Sequence, residues 1–125
     1  MQSIAVSAAG VREQFDAAAS ASRRLADSCC AGWSSIAQSS EAPPQTANLI
    51  MDCSYVASAA ARMLAHVDEH PLRDIVMLVE VAHGLARRIA QTAWEHPRPV
   101  VLLACAGAAR NAIESYEAIS TLLRV

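Results

Sequence analysis

The sequence predicts an all-α fold, an antiparallel up-down four-helix bundle that takes up residues 1–125 as a single domain. Alanine occupies 27 of the 125 positions, whereas glycine occupies only 4 and aromatic residues make up 4%. Small, unbranched apolar residues favour helices over sheets. Prolines stand just before long proline-free segments, and apolar residues within those segments recur at spacings of three and four. Both patterns are typical of amphipathic helices.

The prolines divide the chain into four predicted helices, at about residues 3–38, 44–66, 71–95 and 99–123. The prolines that precede the second, third and fourth helices are Pro43 with Pro44, Pro71, and Pro97 with Pro99. Proline at the first helical position sacrifices no hydrogen bond, so these helices are expected to begin there. The short connections predict that sequential helices are antiparallel neighbours.

The first predicted helix is the longest. Its length predicts either a break near Gly10 or Gly32 or an N-terminal segment that packs on a second subunit. Its apolar stripe, with spacings of three and four, consists of Ile4, Ala8, Val11, Phe15, Ala18, Ser22, Leu25, Cys29, Gly32 and Ile36. Such a stripe predicts one buried face along the whole helix.

The other three predicted helices carry comparable stripes. The second has Leu49, Cys53, Val56, Ala60, Met63 and Val67. The third has Ile75, Val79, Ala82, Ala86, Ile89 and Ala93, and the fourth has Val101, Cys105, Ala108, Ala112, Tyr116, Ile119 and Leu123. Further apolar residues outside the stripes are Ile50, Leu64, Val76, Met77, Val81, Leu102, Leu103 and Leu122. This excess of apolar surface predicts a homodimer or a higher homo-oligomer.

Charge and hydropathy exclude two classes of partner. The 10 basic residues, all of them Arg, are balanced by 12 acidic residues, so the chain has no cationic surplus for nucleic acid or an anionic membrane surface. The longest uncharged apolar run, residues 100–109, is shorter than the roughly 18 residues that a membrane span needs. The N-terminal segment lacks the basic start of a signal peptide. We therefore expect a cytoplasmic protein that binds neither nucleic acid nor membranes.

Three of the cysteines, Cys29, Cys53 and Cys105, fall on the stripes of three different helices. In an antiparallel bundle all three lie roughly 9 to 14 Å from the same end, at about 1.5 Å of rise per residue. Two or three thiolates in an apolar interior select a soft ion, Cu(I) above all. His96, in the last connection, is a candidate ligand where the ion enters, whereas Cys30 points about 100° away from Cys29. Alternatively, the thiols are inert core residues of a metal-free oligomeric binding or accessory protein.

The remaining histidines suggest a further alternative, a small enzyme with an apolar pocket between the helices. His83 lies beside the stripe of the third helix, where it is a candidate acid or base together with Glu80 or Tyr116. The same pocket would suit a small apolar ligand. His66 and His70 belong to the turn at the other end of the bundle, where a capping role is expected. The chain lacks the Glu plus Glu-x-x-His pattern of di-iron bundles.

Residues 51–64 read MDCSYVASAAARML, an Asp-Cys pair followed by an Ala/Arg/Leu run. This stretch resembles the second helix of the cysteine-rich four-helix-bundle copper-binding proteins, the copper storage protein family, and the loop positions are similar over residues 15–124. The resemblance implies a four-helix fold and Cu(I) binding by core cysteines, with Cys53, Cys29 and Cys105 at positions that look like family cysteines. Family members carry many more cysteines, where this chain has Ala, Ser, Val, Leu and Ile. We therefore expect a divergent, low-capacity member that acts in storage, buffering or delivery.

Overall fold

The computed structural model describes the backbone of residues 8–123 and the side chains of residues 9–123. Within this range the chain forms four long helices and no strand: α1 (Ala8–Gln38), α2 (Thr46–Ala65), α3 (Leu72–Glu95) and α4 (Val100–Leu123). A short 3-10 helix, Val67–Glu69, lies between α2 and α3. The prediction of an all-α fold with four helices is confirmed. The predicted start of the first helix at residue 3, and Ile4 of its stripe, lie outside the described residues.

Each helix packs against the next one along the chain, and α4 packs against α1 as well. The most extensive of these contacts is between α1 and α2, while the diagonal pairs, α1 with α3 and α2 with α4, make little or no contact. This arrangement places one shared core along the centre of the four helices.

The helices begin slightly later than the prolines predict. Pro71 precedes the first residue of α3, in extended geometry with φ −59° and ψ 138°. Pro99 similarly precedes α4, and Pro44 lies two residues before Thr46, where α2 starts. Pro71 and Pro99 still serve the helices, because their carbonyls accept hydrogen bonds from the amides of the first turn. The fixed φ of proline therefore sets the approach of the chain to each helix rather than its first turn.

The core contains most of the predicted stripe residues. All six stripe residues of α3 are buried, and in α1 the described stripe residues are buried apart from Val11, which is half-buried. In α2 and α4 the buried face is broader than predicted and includes Ile50, Leu64 and Leu102, each no more than 1% exposed. A strict three-four alternation drifts around a helix of 3.6 residues per turn, so residues flanking the stripe also enter the core. These three residues therefore do not belong to the predicted excess surface.

The first helix is continuous through both glycines, so the predicted break at Gly10 or Gly32 is wrong. Gly32 is buried against α4, where an added Cβ would overlap with the Val101 side chain and lie 3.4 Å from the sulfur of Cys105. The absence of a side chain at Gly32 allows α1 and α4 to approach closely beside Cys105. The glycine thus serves helix packing rather than a change of helix direction.

Candidate functional site

The candidate site is formed by three cysteines in the core. Cys29 on α1, Cys53 on α2 and Cys105 on α4 are each 0% exposed. All four cysteines of the chain are free thiols, and Cys30 is the exposed one. Because Cys30 directly follows Cys29, its side chain points to a different face of α1. Three thiols from three helices are therefore enclosed by the bundle, and the fourth is on its surface.

Cys29 occupies the middle of the three buried thiols. Cys53 and Cys105 both lie close enough to Cys29 to shift the pKa of its thiol. The thiol of Cys105 donates to the carbonyl oxygen of Ser28, with an S···O distance of 3.6 Å. Cys29 therefore lies between the other two thiols in a row, Cys53 to Cys29 to Cys105.

The environment of this row favours protonated thiols. The interaction with Cys105 lowers the pKa of Cys29, but the interaction with Cys53, burial and the neighbouring cysteine charges outweigh it and raise this pKa to about 12. The pKa of Cys105 is raised as well, first by its interaction with Cys29 and then by burial. An ion that binds here must therefore displace protons from the sulfurs.

The coordination number that the site offers is low. Within residues 9–123, no set of three or more His, Cys, Asp or Glu side chains is arranged to hold a metal ion. The row provides two neighbouring sulfurs, that of Cys29 and that of either Cys53 or Cys105. Such a pair fits a soft monovalent ion in two-coordinate geometry and falls short of the four ligands that structural zinc takes.

A second group of buried polar side chains lies beside the thiols. The hydroxyl of Ser22 donates to the carbonyl oxygen of Ala57 at 2.8 Å, and it lies 2.5 Å from the hydroxyl of Tyr116. Because Ser22 has a single hydroxyl proton, Tyr116 is the donor in the second bond. Burial is the main reason that the pKa of Tyr116 is raised to about 12; the hydrogen bond with Ser22 opposes this shift, and the charge of Cys53 adds to it. Tyr116 thus stays neutral.

His83 adjoins this group from α3. Its ring centroid lies 6.3 Å from that of Tyr116, and its Nε2 atom is buried without a hydrogen-bond partner. The same nitrogen lies 3.5 Å from a carboxylate oxygen of Glu117. Glu80, the carboxylate proposed from sequence, instead lines a small groove between α3 and α4 with Ser120. Glu117 is not among the residues that the sequence predicts for this site, and Ser22 is predicted only as a stripe residue, although a serine on an otherwise apolar stripe signals a buried hydrogen bond.

The structure does not bring His96 to the thiols. His96 follows the last residue of α3, its backbone N–H donates to the carbonyl of Thr92 at 2.8 Å, and its side chain lines a pocket with Thr46 and Arg88. None of the hydrogen bonds and ion pairs of the described residues joins it to a cysteine. His66 and His70 lie around the turn between α2 and α3, as expected, and the Nδ1 of His66 is 3.3 Å from Glu69.

Comparison of the chain with protein-family models, with curated proteins and with solved structures finds no match. The resemblance to the copper storage protein family therefore stays a prediction from sequence. In the described part of the chain, no helix combines the length and the apolar character needed to cross a membrane.

Proposed function

We propose that this protein is a low-capacity Cu(I)-binding four-helix bundle, a divergent relative of the copper storage proteins that acts in storage, buffering or delivery. The observation that carries the proposal is the contact of Cys29 with both Cys53 and Cys105 in a fully buried setting. Thiolates are the ligands that Cu(I) prefers, and an apolar surrounding disfavours hydrated ions. The proposal includes a cytoplasmic location, where thiols remain reduced.

Cys29 is the shared ligand in this proposal. It contributes one sulfur, and either Cys53 or Cys105 contributes the other, so that two alternative pairs are available for one ion. Each sulfur binds as a thiolate, and its proton leaves as the ion arrives. Since the pKa of both Cys29 and Cys105 is raised, Cu(I) affinity should increase with pH through the neutral range. His96 has no ligand role here.

The proposed topology is up-down and antiparallel. Pairs of residues in contact support it, because residue numbers on α1 rise as those of its partners fall. Ser22 bonds to Ala57 and, nearer the end of α1, Ser54 bonds to the carbonyl of Ala26 at 3.1 Å. On α4, Tyr116 contacts Ser22, whereas Cys105 contacts Ser28.

The test of the Cu(I) proposal is an anaerobic titration of the reduced protein against a chromophoric Cu(I) chelator. Wild type is expected to withdraw about one ion per chain from the chelator, since one central sulfur is shared. Cys29→Ala should abolish this competition, because it removes the shared ligand, whereas Cys53→Ala and Cys105→Ala should each weaken it. The matched control is Cys30→Ala, which removes the adjacent exposed thiol and should compete like wild type.

Three results would contradict the proposal. The first is withdrawal of as much Cu(I) by Cys29→Ala as by wild type, and the second is loss of the ion in the Cys30→Ala control, in which case the surface thiol is the ligand. Failure of wild type to compete at all would equally exclude the buried site. Circular dichroism of each variant establishes that the bundle is intact.

A second candidate is a metal-free oligomeric binding protein with inert core thiols. It is favoured by an open, mainly apolar groove between α2 and α3, lined by Met63, Asp74, Met77, Leu78 and Val81. Met77 remains 65% exposed there, and single chains seldom leave large apolar patches uncovered. Sedimentation equilibrium of wild type and Met77→Lys tests this candidate, because the charge should dissociate an oligomer that uses the groove.

A further inference from the structure

The outer face of α3 is the side of this helix that points away from the core. At about 100° per residue, its midline lies opposite the buried stripe from Ile75 to Ala93. The residues nearest this midline are all exposed: Arg73, Met77, Glu80, Gly84, Arg88 and Gln91. The helix has 24 residues, so the face extends over about 36 Å. It is long enough to be a contact surface for another helix.

Large apolar side chains are exposed on this face. Met77 is 65% exposed near its midline, and Val81 and Trp94, at its two edges, are 50% and 82% exposed. Several such side chains on one face of a helix are typical of a surface that another molecule covers. The outer face of α3 therefore carries apolar area that the described part of the chain does not bury.

Gly84 lies at the midpoint of this face. A Cβ built there would meet nothing within 4 Å, so packing within the chain does not require a glycine at this position. Glycine also weakens the interior of a helix relative to alanine. A glycine on an exposed helix face does, however, allow a second backbone to approach closely. Gly84 is therefore suited to be the crossing point with another helix.

The charges of the outer face are self-complementary about Gly84. Glu80 lies four residues before Gly84 and Arg87 three residues after it, whereas Arg73 and Glu95 lie eleven residues away on opposite sides. When a second α3 packs antiparallel at Gly84, residues equally far from Gly84 come together. Glu80 then meets Arg87 of the second copy, and Arg73 meets Glu95. Parallel packing would instead place each charge beside its own copy.

These charges are available for such contacts. Among the described residues, no ion pair includes Arg73, Glu80, Arg87 or Glu95. An unpaired set of charges whose signs match only in the antiparallel arrangement favours that arrangement over others, because like charges that face each other across an interface are costly.

We propose that this protein forms a symmetric homodimer in which α3 packs antiparallel against α3 of a second copy and crosses it at Gly84. The second copy covers Met77, and Val81 and Trp94 lie at the margins of the interface. Two Glu80–Arg87 pairs, related by the two-fold axis, fix the register. The dimer uses none of the buried cysteines, so it forms whether or not the thiols bind Cu(I).

The test is sedimentation equilibrium of the reduced, metal-free protein, which is expected to sediment as a dimer. Glu80→Arg and Arg87→Glu each place like charges opposite one another at both symmetric positions, so each should weaken the dimer roughly tenfold or more. The matched control is Glu114→Arg, the same charge reversal at an exposed position of α4, which should dimerise like wild type. Circular dichroism of each variant reports whether the helices are preserved.

Mixing the two weakened variants distinguishes this dimer from other oligomers. A heterodimer of Glu80→Arg with Arg87→Glu has opposite charges at both symmetric positions, so the equimolar mixture should recover the dimerisation that each variant alone has lost. An oligomer that uses the groove between α2 and α3 should be insensitive to both variants, since neither residue lines that groove.

Three results would overturn the dimer. They are a wild type that stays monomeric up to about 200 µM, a Glu80→Arg variant that dimerises as well as Glu114→Arg, and a mixture of the two weakened variants that stays monomeric. The Cu(I) titration is a separate measurement on the same protein, so failure of the copper site and failure of the dimer are distinguishable.

Discussion

The hydroxyl of Tyr116 on α4 lies 2.5 Å from the hydroxyl of Ser22 on α1. Both residues are 0% exposed, and the Ser22 hydroxyl also donates to the carbonyl of Ala57 on α2. Three helices are therefore linked by a single serine side chain in the middle of an alanine-rich core. In an apolar interior such a chain of bonds is costly to break, because each group released has no water to replace its partner.

Replacement of this serine is expected to destabilise the bundle strongly. Ser22→Ala leaves the Tyr116 hydroxyl without a partner and removes the second hydrogen bond that the Ala57 carbonyl accepts beside its helical one, which should cost roughly 1 to 3 kcal/mol in the free energy of unfolding. Tyr116→Phe removes the donor itself and leaves the bond from Ser22 to Ala57 intact, so its cost should be smaller. Urea unfolding measures both values.

Ser34→Ala, at an exposed position of α1, is the control and should change stability by less than about 0.5 kcal/mol. Equal effects of Ser22→Ala and Ser34→Ala would contradict this account.

The close approach of α1 and α4 at Gly32 leads to a second prediction, that alanine has opposite effects on stability at Gly32 and at Gly84. Gly32→Ala should destabilise by roughly 1 to 3 kcal/mol because the new methyl group overlaps with Val101. Gly84→Ala on α3 should instead stabilise by up to about 1 kcal/mol, since nothing lies within 4 Å of its Cβ and alanine favours a helix. Thermal unfolding distinguishes the two signs. Adding Val101→Ala to Gly32→Ala should restore part of the loss, and failure of this rescue would argue against a steric cause.

Much of the fold follows from the sequence because its signals are local. The stripe of α3, from Ile75 to Ala93, predicts every buried residue of that helix. The helix ends alone also predict that Cys29, Cys53 and Cys105 lie near one another. They do not predict that Cys29 lies between the other two, because each residue of error in a helix boundary turns a side chain by about 100°.

The parts that the sequence did not predict depend on contacts between helices. Glu117 meets His83 only because α3 and α4 are neighbours, and nothing in the spacing of the two residues indicates it. The position of His96 in the pocket with Thr46 and Arg88 likewise depends on where α3 ends. The pocket around Thr46 and Arg88 combines two helices and a connection, so no local pattern reveals it.

His83 provides a third prediction. Its Nε2 atom is buried without a hydrogen bond, which carries a desolvation cost that an apolar residue avoids. His83→Leu should therefore leave the free energy of unfolding unchanged or raise it by up to about 1 kcal/mol at neutral pH. Glu117→Gln should have little effect, because the carboxylate side chain is 59% exposed and exposed pairs contribute little. Urea unfolding of both variants checks this, and a loss above about 1 kcal/mol in His83→Leu would show that the imidazole makes a favourable polar contact.

The raised pKa values of the core predict how stability depends on pH. Cys29 has an ordinary pKa of 9.0 that the fold raises to about 12, and Tyr116 has one of 10.0 that burial raises to about 12. Above pH 9 the unfolded chain loses these protons while the folded chain keeps them, so the unfolded state binds fewer protons and stability must fall. The free energy of unfolding should be insensitive to these groups below pH 9 and should decline between pH 9 and 12. The slope should reach about 1.4 kcal/mol per pH unit for each group.

Urea unfolding of the reduced protein across this range measures the slope, and Cys29→Ala should make it shallower. A stability that is flat to pH 12, or a slope that Cys29→Ala leaves unchanged, would contradict the burial of this thiol.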